Sequence, residues 1–154
     1  MIDAFAAAVE ASQLGGFARG SAWAYPVANL VHLLGLVLLL GSIGIVDLRF
    51  AGLLRALPLD ALSRALTPIA IGGLALMAAS GPILFAADAT TLARSATFGW
   101  KLALIALALL NAIGFRWLRR GHEGDPRAIE RAMAVASILL WLAVAALGRM
   151  IAYN

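Results

Sequence analysis

Four long apolar runs are separated along this chain by shorter polar segments: Pro26–Val46, Ile69–Ala87, Phe98–Leu118 and Ala132–Ile151. Each approaches the ~20 helical residues needed to cross a hydrocarbon core ~30 Å thick. The pattern predicts an all-α protein, a four-transmembrane-helix up-down bundle, forming a single integral membrane domain over residues 1–154. The intervening segments, Asp47–Pro68, Asp88–Thr97 and Arg119–Arg131, are short enough that consecutive helices are expected to pack as antiparallel neighbours. Ahead of the first span, Ile2, Phe5, Ala6 and Val9 recur at helical spacing and Gly15-Gly16 offers a stop. This predicts one short N-terminal interfacial helix. Asp3 and Glu10 stand where a cleaved signal peptide would carry basic residues, so the segment is expected to remain in the mature protein.

Composition sharpens the assignment. The chain is 63% hydrophobic and 13% charged, with a mean hydropathy of +0.94, and so apolar a surface requires lipid as solvent. A net charge of +4 would suggest nucleic acid in a soluble domain. Here the arginines lie between apolar runs and report orientation instead, so no nucleic-acid partner is expected. Arg49, Arg55, Arg64, Arg116, Arg119, Arg120, Arg127 and Arg131 fall on one side, against Arg19, Arg94, Lys101 and Arg149 on the other. That asymmetry predicts cytoplasmic first and third connections and two periplasmic termini. Trp23, Tyr25, Trp100 and Tyr153 then mark the outer interface and Trp117 the inner one. The absence of cysteine excludes disulfides, thiolate metal sites and covalent haem attachment.

Candidate chemistry is sought among polar residues inside the apolar runs, because each is costly there without a partner or a task. His32 lies ~9 Å past Pro26 by helical rise, with Asn29, Gly35 and Leu39 on its face at helical spacing. The second span reaches the same depth at Ser80-Gly81-Pro82, where Pro82 leaves the carbonyl of Ala78 without an amide donor. Lys101 and Arg149 come from the outer ends of the third and fourth spans. His32, Asn29, Ser80, Lys101 and Arg149 are therefore expected to converge in one outer polar layer. Deeper in, Ser42 and Asn111 are placed to bond each other, and Asp47, Arg49 and Arg116 to form a charge cluster closing the inner end. His122 belongs to the opposite leaflet from His32, which argues against a bis-histidine haem within one protomer. Phosphate loops, HExxH, GxSxG and paired intramembrane carboxylates are all missing from the sequence.

The segments W-x-Y-P-x2-N-x2-H-x2-G (Trp23–Gly35), D-L-R-x2-G (Asp47–Gly52), S-G-P-x-L-F (Ser80–Phe85), F-x-x-K (Phe98–Lys101), Asn111 and G-R-x-I-A-Y (Gly148–Tyr153) resemble a family of small uncharacterised bacterial four-helix inner-membrane proteins. More remotely, His32 and Lys101 are similar to positions in the membrane protoporphyrinogen oxidases and in copper-resistance D-type membrane domains. The resemblance implies a bacterial inner-membrane location, and its remote part implies b-type haem.

Three function classes follow. In the first, His32 is the axial ligand of haem b or a porphyrin, Met77 the second ligand if there is one, Gly35 and Gly81 make room for the ring, and Lys101 and Arg149 pair with its carboxylates. Exchange would then be with a quinone or a periplasmic redox partner. In the second, the protein is a non-catalytic accessory or assembly subunit, its Gly35, Gly41, Gly44, Gly72 and Gly73 supplying contact faces for a homo-oligomer or another membrane subunit. In the third, His32 and the methionines handle copper.

Overall fold

The structure is a computed structural model that describes residues 1–121 and 124–153; His122 lies outside the described residues. Among the described residues seven α-helices follow one another: α1 (Ile2–Glu10), α2 (Gln13–Gly20), α3 (Ala24–Ala51), α4 (Leu59–Ala87), α5 (Ala89–Arg94), α6 (Ala96–Arg119) and α7 (Ala128–Met150), with a closing 3-10 turn at Ile151–Tyr153. The described residues contain no strand. Helices α3, α4, α6 and α7 are each long and apolar enough to span a bilayer.

The spanning helices run beyond the apolar segments that announce them. At 1.5 Å per residue, the 28 residues of α3 and the 29 of α4 reach about 42–44 Å, so their ends pass the hydrocarbon core. Most of the expected Asp47–Pro68 connection is therefore helical, leaving only residues 52–58 between α3 and α4. Helix α3 stops at Gly52, whose positive φ of 99° suits a residue without a Cβ. There the amides of Gly52 and Leu53 return to the carbonyls of Arg49 and Leu48, the Schellman arrangement. Pro68, assigned to the connection by sequence, sits inside α4, as does Pro82.

The N-terminal segment is helical ahead of the first span, as expected, and its helical structure continues beyond the periodic stretch. Two helices form, and the break falls at Ala11-Ser12, where the Ser12 hydroxyl accepts the amide of Gly15 as an N-cap. Gly15-Gly16 lies within α2 instead of ending a helix, because Gly15 is the point of closest approach. A Cβ there would stand 2.2 Å from the Glu10 carbonyl oxygen. The α1–α2 pair rests on α5 and on the last turns of α4. Arg19 donates to the carbonyls of Ala86 and Glu10, and the Glu10 carboxylate accepts both the amide and the hydroxyl of Thr90 at the start of α5. Those two bonds, hydroxyl first, hold the Glu10 carboxyl below the usual glutamate range. They also explain why Asp88–Thr97, read as an open connection, contains the short helix α5.

Three of the four seams of the bundle are closed. Helices α3 and α4 are the most closely packed, because Gly35 and Gly73 face each other there: a Cβ on either would stand 2.6 Å from the other's carbonyl oxygen. Helix α7 packs on α3 and on α6. The fourth seam departs from the expectation that consecutive helices are neighbours, since α4 and α6 do not approach backbone to backbone as the other pairs do. They are bridged near one end by the stacked rings of Phe85 and Phe98, 5.5 Å between centroids. Bulky aromatics hold helices apart where paired glycines let them close. Leu39, Met77, Ala108, Trp141 and Val144 fill the centre of the bundle.

Candidate functional site

Within α4, the Ser80 hydroxyl donates to the carbonyl of Leu76, one turn back, at 2.7 Å. That bond uses its only proton. The oxygen also lies 2.9 Å from Nδ1 of His32 on α3, and it serves there as the acceptor. The hydrogen-bond pattern therefore assigns the imidazole proton to Nδ1, on the α4 side, and leaves the lone pair on Nε2. The same arrangement, one ring nitrogen tethered so that the other can bind, orients histidine ligands at metal centres.

The rest of the layer is smaller than the sequence suggested. Gly81 gives His32 its place: a Cβ at Gly81 would touch the ring at Cε1, 3.7 Å away. Lys101 reaches in from α6 over Gly148 of α7, its Nζ 3.5 Å from where a Cβ of Gly148 would stand. Its charge bears on the His32 ring. His32 and Ser80 are thus brought together by α3 and α4, with Gly81 making the room, while Lys101 of α6 lies over Gly148 of α7, within electrostatic reach of the ring.

The structure places the other residues of the predicted layer elsewhere. Asn29 is exposed: position i−3 lies about 60° around the helix from His32 on one flank, and position i+3, Gly35, lies on the other flank, the one that packs against α4. Arg149 is exposed and turns back along its own chain, donating to the Tyr153 hydroxyl and lying over that ring at 4.8 Å. Met77 is buried against Gly35 in the α3–α4 seam. Gly35 is filled by that methionine and the Gly73 backbone. The glycines therefore do not open a slot for a flat ring between α3 and α4; they let the helices touch. The fit to a porphyrin is accordingly one-sided. Of the residues expected to hold it, His32 is half-buried beside Ser80, while Met77 is packed into the α3–α4 seam.

At the other end of the bundle, two expectations are replaced. Asn111 donates to the carbonyl of Met133 on α7 at 3.0 Å, instead of to Ser42, because the backbone of α6 runs close to α7, whereas it meets α3 only through side chains such as Phe115 on Phe50. Asp47 joins no ion pair among the described residues, and its Oδ2 is buried without a partner, while Ser137 of α7 bonds the same carboxyl. Arg49 donates to the carbonyl of Leu57, and Arg116 is exposed. The ion cluster that closes this end is instead Glu130, fully buried, with Arg119 at 3.3 Å and Arg127 at 2.9 Å. The hydrophilic composition of the α6–α7 connection carried no signal that its glutamate turns inward.

A small four-span integral membrane protein, with one polar layer near the end that carries both termini, is the class these features define. The chain matches the family of unknown function DUF6644 over residues 5–154, and it belongs to that family. No curated protein and no solved structure matches it.

Proposed function

We propose that this protein binds b-type haem or a porphyrin through Nε2 of His32, for redox exchange or haem handling in the bacterial inner membrane. The observation that carries the reading is the Ser80 tether. A histidine kept only to join two helices needs no fixed tautomer, whereas Ser80, with its own proton committed to Leu76, holds Nδ1 as donor and presents Nε2 as ligand. Lys101 would pair with a carboxylate of the ligand. A haem bound there would supply one-electron exchange, with a quinone or a periplasmic protein as partner. The eight-to-four division of basic residues supports periplasmic termini and, with them, an outer-leaflet position for His32.

The test is spectroscopic. Protein purified from haem-replete cells, or titrated with haemin, is expected to show a Soret band that His32→Leu removes and Lys101→Gln weakens. A wild-type preparation that stays colourless after haemin addition overturns the reading.

A second reading, a non-catalytic accessory subunit, is favoured by one specific observation. Gly41, Gly44 and Gly72 face open space, so small-residue surfaces on α3 and α4 remain available to another helix. A copper-handling role has less support. Met77 packs on Gly35 in the α3–α4 seam and Met133 lies against Gly114 on the α6–α7 side, so the methionines do not gather at one place.

A further inference from the structure

The bundle end opposite His32 contains a cavity of about 180 Å³ whose walls include Arg49, Phe50 and Gly52 from the end of α3, Arg55 from the connection to α4, Asp125 from the connection ahead of α7, and Arg131 in the first turn of α7. Roughly 300–1,000 Å³ is usual for a drug-sized ligand, so this space suits a small group and not a large one. The lining is cationic, with three guanidinium groups against one carboxylate.

The three arginines are held in place by the same device. Nε of Arg49 donates to the carbonyl of Leu57 at 2.8 Å, Nε of Arg55 to that of Gly52 at 2.8 Å, and Nε of Arg131 to that of Pro126 at 3.1 Å. A guanidinium carries five N–H donors in a rigid plane, so fixing Nε orients the plane and leaves the terminal nitrogens to bind. None of the three forms an ion pair among the described residues. By contrast, Arg119 and Arg127 at the same end are both committed to Glu130. Gly52 completes the cavity: its positive φ turns the chain, and a Cβ there would press within 3.4 Å of the Arg55 guanidinium.

Three pre-oriented guanidinium groups around a small concave space match the tetrahedral oxygens of a phosphate, which accepts paired N–H donors. Basic pockets between spanning helices, at the depth of lipid headgroups, bind anionic headgroups in this way. We propose that this cavity is a binding site for an anionic phosphate group, that of a membrane phospholipid or a free phosphate. The site is independent of the reading of His32.

Calorimetric titration of the full chain in uncharged detergent tests this, with three probes: micelles doped with phosphatidylglycerol, micelles doped with phosphatidylcholine, and inorganic phosphate alone. One saturable site per chain is expected. Its affinity should fall at least tenfold in Arg55→Gln/Arg131→Gln and stay unchanged in Arg94→Gln, an arginine of the opposite end. Binding of phosphatidylglycerol but not of inorganic phosphate identifies a lipid headgroup; binding of inorganic phosphate lost in the same variant identifies a free phosphate. Because Arg55 and Arg131 are exposed, the variant is expected to keep its melting temperature, and the single variant Arg55→Gln provides a second measure. Absence of binding by all three probes, binding unaffected by the substitutions, or equal binding of phosphatidylcholine overturns the proposal.

Discussion

Asp47 shows what burial costs when partnership is incomplete. Its side chain is 6% exposed; one oxygen has Ser137 for company and the other has nothing. A buried polar atom without a partner costs about 1–3 kcal/mol, and more when charged. Asp47→Asn preserves size, keeps an acceptor for Ser137 and removes the charge. The variant is expected to melt in neutral detergent at the same temperature as the parent or higher. A fall in melting temperature would mean that Oδ2 has a stabilising partner. Glu130 is the contrasting case, more deeply buried yet satisfied by Arg119, Arg127 and the Arg127 amide.

Helix packing turns on which glycines touch something. Gly72 and Gly73 are adjacent, yet a Cβ on Gly72 meets nothing within 4 Å, while one on Gly73 collides with Gly35 and Leu39 backbone. Relief of glycine's conformational freedom in a helix interior is worth roughly 0.5–1 kcal/mol, and forced overpacking costs about 1–3 kcal/mol. Gly72→Ala is therefore expected to be neutral or stabilising, and Gly35→Ala destabilising, because a backbone carbonyl cannot move aside without parting α3 from α4. Thermal unfolding of the two variants in one detergent checks the sign of each. Equal effects would remove the close crossing from the account. The helix termini follow simpler rules: Ser95 and Ser12 cap α6 and α2 through their hydroxyls, and Gly52 ends α3.

At the scale of the whole molecule, α1, α2, α5 and the 3-10 turn gather at one end, and the connections flanked by arginines lie at the other. The charge asymmetry predicts which end faces the cytoplasm, and the cysteine-free sequence makes the prediction simple to examine. In intact cells, Gly20→Cys is expected to react with an impermeant thiol reagent and Ala56→Cys to be protected; both positions lie outside the spanning helices. The reverse pattern would invert the orientation and move His32 to the inner leaflet.

The four spans were legible because hydrophobicity is a property of each residue and a bilayer sets a fixed length for the run. The aromatic positions at the ends and the pairing of His32 with Ser80 were legible for a related reason, since depth follows from counting along a helix. Azimuth does not follow from counting. Asn29 and Arg149 share the depth of His32 but not its direction, and the partner of Asn111 depended on which helices are neighbours. Only the tertiary structure decided these, through the glycine crossing that closes α3 on α4 and the aromatic pair that keeps α4 from α6. The same holds for α5, a six-residue helix stabilised by a glutamate 80 positions away in the chain. It holds too for the arginine cavity, whose three walls come from segments that no local pattern brings together. Length, depth and the sign of charge at each end are sums over neighbouring residues and can be read along the chain; the contacts that give a site its shape arise between helices, where only the packed chain defines them.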